Sequence, residues 1–531
     1  RVIFLPGRFQ NVSIPQNETV QAVVSTISSA VAFITLQFHT QHRNATLSYT
    51  REPGLGVSLT AADSGLLSAL QPGQTSLSLF LSSPEGDTVA GTGVILPYLG
   101  TPVPGACNTE FNLEIDPNIY IHYNLYETTI RFAPANLGYE GGVPPACDQS
   151  TGTKTRWRLQ YDVYQYFLPE NDLSERSLFS GFQAVADEQG VMGNGRRVAT
   201  LKSTDKSLMV FNSIPGQGVI YSVIVRDPLL NTSASYVPVH TYACSFNSTL
   251  DSCQTLKIST KIFFTIVGLA GLFVCFSGHR FFKILFCMGF SFAAFFFFVL
   301  ITRTTELDYD RLTLSGVVGV VGGVILVMIW WRFGSVVAVV VIVVGLMLGF
   351  LVASIVLFTP LDLDVYRKSD VVFWVTFCSI MLIIPLFFVR WPREGNITTC
   401  GIVGAYAVIL AINSYIYTSL SYITLNILKR LLNNNFSAVF TDVPFQTIYI
   451  TITVWVVLGV CGIVLQLYRE RSRPFFPPSP YLMWQQERER RKTNVLDPSH
   501  HFPSLPSRLL ARVRQLTKRT EPKGEHTPLL L

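Results

Sequence analysis

KIFFTIVGLAGLFVCFS (Lys261–Ser277) and TIYITITVWVVLGVCGIVLQL (Thr447–Leu467) open and close a run of seven apolar stretches in this 531-residue chain. Between them lie Ile284–Ile301, Leu314–Trp331, Phe333–Phe358, Val371–Val389 and Ile397–Tyr417. A bilayer core takes about 20 predominantly apolar residues per helix, because no water is present there to satisfy stray backbone groups. The stretches meet or approach that length. They predict an all-α seven-helix transmembrane bundle over residues 257–467, with the two ends of the chain on opposite sides.

Residues 1–256 hold no such stretch and read differently. Asn11, Asn17, Asn44, Asn231 and Asn247 each stand two residues before Ser or Thr, the acceptor pattern for N-glycosylation. Arg1 opens the chain with neither methionine nor an apolar leader, as expected of a mature chain whose signal peptide has been removed. Cys107, Cys147, Cys244 and Cys253 form an even set outside the spans, expected to be oxidised in an extracytoplasmic compartment. Four cysteines permit three connectivities; the short sequential loops favour Cys107 with Cys147 and Cys244 with Cys253.

Charge points the same way. With the N-terminus outside, the inner connections carry Arg280, Lys283, Arg332, Arg390 and Arg393 against the single acid Glu394, the bias of cytoplasmic loops. Counts of basic residues alone are close, since the outer connections hold Arg303, Arg311, Arg367, Lys368, Lys429 and Arg430 among more numerous acids, and the tail breaks the tie. From Tyr468 onward thirteen Lys or Arg face six Asp or Glu, a net of +7 in a chain of net +6. Residues 468–531 are therefore read as a basic cytoplasmic tail. On this topology Asn435, in Asn-Phe-Ser, is an outer acceptor, whereas Asn396, in Asn-Ile-Thr, lies inside and stays unmodified.

The N-terminal half alternates at period two, as half-buried strands do. Ile34, Leu36 and Phe38 alternate with polar residues, as do Trp157, Leu159, Tyr161 and Val163; Leu77, Leu79 and Leu81, and Val219, Tyr221, Val223 and Val225, continue the recurrence of apolar residues at every second position. The Pro/Gly-rich break LPYLGTPVPGAC (Leu96–Cys107) divides two β-rich, sandwich-like modules, 1–100 and 101–256. With 49% hydrophobic and 14% charged residues the chain fits a mixed membrane and globular protein.

Within the bundle, Gly319 and Gly323, and likewise Gly345 and Gly349, are spaced for close helix packing in lipid. Pro385 is expected to kink its span, and Trp330, Trp331 and Trp391 to anchor at the interface. Leu420, Ile423, Ile427, Leu428, Leu431 and Leu432 recur at helical spacing and predict an outer interfacial helix.

Span interiors almost lack acids, bases and histidines, which disfavours a charge-relay transporter. Asn413 and Gln466 are the polar exceptions, expected to satisfy themselves by hydrogen bonds. His279, beside Arg280, reads as a solvated loop residue; Asp308, Asp310, Asp362 and Asp364 read as loop solvation. No catalytic, cofactor or metal constellation is expected. The tail's Arg508, Arg512, Arg514, Lys518 and Arg519, interleaved with Leu509, Val513 and Leu516, favour membrane lipids over nucleic acid. At the end of the chain Glu525 precedes Leu529 and Leu530, an arrangement similar to an acidic dileucine signal read by clathrin adaptors: the carboxylate meets a basic surface and the leucines fill apolar pockets.

Longer strings carry a family resemblance: FNLEIDPNIYIHYNLYETTIRFAPANLGY from Phe111, RWRLQYDVYQYFLPENDL from Arg156, GQGVIYSVIVRDPLLNTSASYVPVHTYACSF from Gly216, SYITLNILKR from Ser421 and RPFFPPSPYLMWQQERERR from Arg473. The chain resembles the transmembrane 7 superfamily member 3 family, and its bundle is similar to that of transmembrane protein 198. The resemblance implies a multi-pass glycoprotein of the plasma membrane and endomembranes, endosome or lysosome included, with a pro-survival role that dampens cellular and endoplasmic-reticulum stress and supports insulin secretion. The expected function is that of a non-enzymatic scaffold or receptor-like protein with a lumenal or extracellular protein partner. A lipid or neutral-solute transporter is the alternative. A G-protein-coupled receptor ranks third, because Trp330-Trp-Arg-Phe-Gly334 ends the third span and the seventh has no NPxxY.

Overall fold

The alternating stretches fold as strands of stacked sheets. A computed structural model of the chain describes residues 1–100, 102–124, 127–136, 158–247, 252–254, 258–280, 308–333, 343–358, 370–432, 438–439, 446–474, 480–493 and 510. The first β domain has nine strands: β1 (Val2–Phe4), β2 (Gln10–Ile14), β3 (Thr19–Val24), β4 (Phe33–His39), β5 (Ala45–Ser48), β6 (Ser58–Ala61), β7 (Asp63–Ala69), β8 (Leu77–Ser82) and β9 (Val89–Tyr98). They form two sheets, ordered β1-β3-β8-β5-β6 and β2-β9-β4-β7. Phe4, Ile14, Leu36, Phe38, Leu47, Leu66 and Leu81 are among the side chains that fill the core of this domain.

Alternation in β4 predicts one wet face, and the structure covers both. Ile34, Leu36 and Phe38 enter the domain's own core, while Phe33, Thr35, Gln37 and His39 face the second domain. Strand register arranges that outer face in rows: Ala69, Phe33 and Tyr98; Leu67, Thr35 and Leu96; Gly65, Gln37 and Val94; Asp63, His39 and Thr92. The face is thus apolar at one end and polar at the other. Sequence periodicity reports polarity, and the polar residues here are covered by a neighbouring domain rather than by solvent.

The second domain contains β10 (Ile119–Tyr123), β11 (Glu127–Phe132), β12 (Gln160–Phe167), β13 (Arg196–Lys202), β14 (Leu208–Asn212), β15 (Val219–Asp227), β16 (Thr232–Ser235), β17 (Val239–Thr241), β18 (Ser245–Asn247) and β19 (Ser252–Gln254). One sheet runs β13-β12-β15-β16 with β17 also on β15; the other runs β10-β11-β14 and continues into β20 (Ala438–Val439). Two short helices, α1 (Glu175–Ala184) and α2 (Glu188–Asn194), interrupt the strands. Ser174 and Asp187 cap them, each accepting from a backbone N–H three residues on. The expectation of strands alone did not include these helices.

The C-terminal half is helical: α3 (Ile258–Ser277), α4 (Asp308–Phe333), α5 (Gly345–Phe358), α6 (Asp370–Arg390), α7 (Pro392–Asn413), α8 (Tyr422–Leu432), α9 (Gln446–Glu470) and α10 (Pro480–Thr493). Among the described residues four helices are long and apolar enough to cross a membrane, namely Thr260–Ser277, Asp370–Arg390, Pro392–Asn413 and Gln446–Glu470. The apolar stretches Thr313–Ile325 and Gly345–Phe358 are shorter. The expected second span, 284–301, lies outside the described residues. The sixth differs from expectation: its helix begins at Pro392, a residue preorganised for the first helical turn, and ends at Asn413 rather than Tyr417. Asn413 explains the stop, since its Oδ1 accepts from both the backbone N–H and the hydroxyl of Thr418 at 2.6 and 2.7 Å.

Close packing in the bundle centres on α7. A Cβ on Gly271 would lie 2.6 Å from Ala407 Cβ, one on Gly404 2.6 Å from the Cys275 nitrogen, and one on Gly462 2.4 Å from Cys275 Sγ. These pairs, Gly268 with Gly271, Gly401 with Gly404 and Gly459 with Gly462, repeat at a spacing of three on three helices, different from the expected spacing of four. Gly345 and Gly349 lie on α5 against α6, where added Cβ atoms would meet Pro385 at 3.1 Å and the Met381 carbonyl oxygen at 2.3 Å. Gly319 and Gly323 are buried on α4.

Candidate functional site

Three polar joints connect the parts of this molecule. The first joins the two β domains. Asn118, just before β10, uses its side-chain amide as a strand would use its backbone: Oδ1 accepts from Gly65 N at 2.7 Å and Nδ2 donates to Gly65 O at 3.0 Å. Asp116 holds Asn118 in place by accepting from its backbone N–H and its amide at 2.9 and 2.8 Å, and from the Tyr120 hydroxyl. Burial raises the Asp116 carboxyl despite those donors. At the apolar end, Phe33, Leu67, Val94, Leu96 and Tyr98 pack with Phe132, Tyr161 and Tyr236 in one cluster. Tyr98 also shares a 2.8 Å hydrogen bond with Ser235, and burial pushes its hydroxyl up to about 12.

At the polar end Asp63 stands between two imidazoles. Its Oδ1 is 2.9 Å from His39 Nδ1, and its Oδ2 is 2.6 Å from His240 Nδ1 and accepts from His240 N at 2.7 Å. The other nitrogen of His240 is 3.3 Å from the Gln41 carbonyl, while His39 Nε2 is buried without a partner among the described residues. His39 stacks on Phe182 with ring centroids 3.9 Å apart. Burial alone would raise the Asp63 carboxyl; the charge of His240 and the hydrogen bonds of both imidazoles outweigh it and hold the group at about 2. Burial alone would lower His240; the carboxylate reverses that, and its pKa is raised.

The second joint ties the second β domain to the bundle. β20, from the segment between α8 and α9, pairs in parallel with β14, Val210 opposite Ala438 and Phe211 opposite Val439. Tyr422, at the start of α8, donates its hydroxyl to the Ser213 carbonyl, and Thr447 on α9 donates to Glu170. A cavity of about 20 Å³ is also lined by Ser213, together with Thr128, Gln165, Gln217, Thr241, Ser419 and Phe358 of α5. Its size and polarity suit one water. The predicted helix after the sixth span is thus α8, and it sits at the same end of the bundle as the β domains.

The third joint is at the opposite end. His279, read above as a solvated loop residue, is buried. Its backbone N–H donates to Gln466 Oε1 at 3.1 Å, and its Nδ1 is 2.9 Å from Asn396 Nδ2. Gln466 in turn donates to the Cys275 carbonyl at 2.5 Å. The correction has a simple cause: α3 ends beside α7 and α9, whose polar side chains take up backbone groups that a helix end leaves unpaired. Arg393 donates to the Glu470 carbonyl nearby.

The remaining candidates fall as follows. Asn11, Asn17, Asn44 and Asn231 are exposed in the first and second β domains. Asn247 lies at the end of β18. Asn396 is buried within α7. Cys244 and Cys253 form a disulfide with Cα atoms 5.6 Å apart, bridging β18 and β19. Cys107 is also disulfide-bonded. Cys147, Asn435, Glu525, Leu529 and Leu530 lie outside the described residues. Among the described residues no group of three or more His, Cys, Asp or Glu is arranged to hold a metal ion.

Two β-sandwiches locked to each other and seated on an apolar helical bundle define a multi-pass membrane protein with immunoglobulin-like domains. Family comparison agrees segment by segment: residues 1–98 match the TM7SF3-like N-terminal immunoglobulin-like domain, 102–247 the TM7SF3-like second immunoglobulin-like domain, and 264–467 the TM7S3/TM198-like domain. Transmembrane 7 superfamily member 3 from Rattus norvegicus and from Mus musculus are each 52% identical over 99% of this chain and 95% of their own lengths. The Homo sapiens protein of the same name is 51% identical over 99% of this chain and 94% of its own. The chain belongs to the transmembrane 7 superfamily member 3 family.

Proposed function

We propose that this chain is a non-enzymatic scaffold or receptor-like membrane glycoprotein whose ectodomain binds a lumenal or extracellular protein and passes that event to the bundle. The observation that carries the reading is the junction itself: β20 extends a sheet of the second immunoglobulin-like domain with a strand from the bundle. A domain joined by a flexible linker would isolate the membrane part from events on the ectodomain, whereas a shared sheet, the Tyr422 contact and the Thr447 contact couple them mechanically. Two of the bonded joints lie in series along this path, one between the β domains at Gly65 and one between the second β domain and α8 and α9. The family resemblance adds a stress-attenuating, pro-survival role and support of insulin secretion as the cellular outcome. In this reading the basic tail meets anionic lipid, and Glu525, Leu529 and Leu530 engage clathrin adaptors to set the balance between plasma membrane and endosome or lysosome.

Proximity labelling from the ectodomain end of the full-length protein tests the first part. A reproducible lumenal partner that still binds when Tyr422→Phe and Thr447→Val weaken the junction, with its downstream effect lost, supports it. Reconstituted protein that moves lipid or a neutral solute, with no such partner, overturns it in favour of a transporter. For the tail, Leu529→Ala with Leu530→Ala is expected to raise surface abundance; an unchanged distribution at normal expression rejects the sorting role.

A further inference from the structure

We propose that Asp63, His39 and His240 form a pH-sensitive clasp that tightens the joint between the two immunoglobulin-like domains in mildly acidic surroundings and loosens it at and above neutral pH. The clasp sits at the polar end of the interdomain face, the end that lacks the apolar contacts of Phe33, Leu96 and Tyr98. Its carboxylate comes from one domain and His240 from the other, so its strength bears directly on whether that end stays shut.

Geometry assigns the proton to His240. Protonated on both nitrogens, it donates through Nδ1 to Asp63 and through Nε2 to the Gln41 carbonyl, leaving no buried N–H unpaired. His39 has no such second acceptor: a proton added to its Nε2 would be buried without a partner. Of the two imidazoles, His240 is therefore the one whose geometry accommodates the charge. The titratable groups facing the carboxylate are His39 from β4 and His240 from β17. Phe182 of α1 and Phe9, which pack against His39, are uncharged. Tyr242 lies beside His240, and burial raises its hydroxyl to about 12, so it stays neutral throughout. The charge of Asp172 acts on Tyr242.

The direction of the effect follows from linkage. His240 has a raised folded-state pKa, so its contribution is complete below the ordinary histidine value of 6.5 and is lost as pH rises through the folded value. Asp63 is held at about 2, so its contribution survives until pH falls well below the ordinary carboxylate value of 3.8. The closed joint is strongest between those limits, the range of acidified vesicles, and weaker at the pH of the cell exterior.

Hydrogen exchange on the full-length protein in lipid nanodiscs reads this directly, because the amides of Gly65 and His240 are bonded within the joint. After correction for intrinsic exchange, protection of β7 and β17 is expected to fall about three- to tenfold between pH 5.5 and pH 8, while β3 and β8 keep theirs. His240→Gln is expected to flatten that dependence, and His39→Gln to retain it. Equal protection of the joint at both pH values in the unmodified protein overturns the proposal, as does a full pH step in His240→Gln. The comparison in the unmodified protein stands even where a variant fails to fold.

Discussion

Val237 fills the space in which a side chain on Gly65 would have to lie: a Cβ built there falls 2.4 Å from Val237 Cγ2 and 3.0 Å from the Leu36 carbonyl. Gly65 belongs to the first domain and Val237 to the second, so this contact fixes how closely the two sheets approach. Gly65→Ala is expected to cost about 1–3 kcal/mol by overpacking. Because the obstruction is chiefly one methyl group, Val237→Ala in the same chain should recover most of that loss, although it costs stability alone. A double-mutant cycle by thermal denaturation, with a coupling of about 1 kcal/mol or more, checks the contact; additive effects would show that the domains do not meet there.

Much of this architecture is legible in the sequence, and what is not has a common origin. Ile34, Leu36 and Phe38, or Leu159, Tyr161 and Val163, announce strands because alternation is local. The burial of Gln37 and His39 is not local: nothing near residue 37 says that Asn118 and His240 lie opposite. The same holds for His279, whose partners Asn396 and Gln466 are more than a hundred residues away. Gly268 and Gly271, by contrast, are legible, since their spacing of three recurs on two later helices, whereas a spacing of four does not include them.

Helix packing in the bundle separates two glycines that look alike in sequence. Gly349 on α5 faces the Met381 carbonyl of α6, and a backbone atom 2.3 Å from an added Cβ cannot rotate away. Gly349→Ala should therefore destabilise the bundle by about 1–3 kcal/mol. Gly316 on α4 has nothing within 4 Å of the same position among the described residues, and Gly316→Ala should be neutral or stabilising by about 0.5–1 kcal/mol through helix propensity. Thermal unfolding of detergent-solubilised full-length protein should rank Gly316→Ala at or above the parent and Gly349→Ala below it.

Gln466 shows how a polar side chain earns its place in an apolar helix. It accepts from His279 N and donates to the Cys275 carbonyl, so Gln466→Leu removes one side chain and with it two hydrogen bonds to buried backbone groups. The expected cost is about 1–3 kcal/mol. Since the joint lies at the far end of the bundle from the β domains, exchange protection should fall around residues 275–280 and 393–400 and stay unchanged in β14. Uniform loss across the chain would place the effect elsewhere.

Seven sequons look equivalent in sequence, and burial divides them. Asn11, Asn17, Asn44 and Asn231 present exposed side chains on the β domains. Asn396 is 7% exposed, lies inside α7 and holds the ring of His279 through its amide. A glycan on Asn396 would have to displace both α3 and that histidine, so the site is closed by packing whichever side of the membrane it faces. Glycopeptide mapping of the protein from secreting cells is expected to find carbohydrate on some or all of the four exposed sites and none on Asn396. Asn396→Gln provides the counterpart: it should leave the glycosylated mass unchanged and yet lower stability, because the longer side chain cannot keep its nitrogen 2.9 Å from His279 Nδ1 without shifting the helix. A drop in glycan mass with no loss of stability would mean that α7 does not pack against the end of α3.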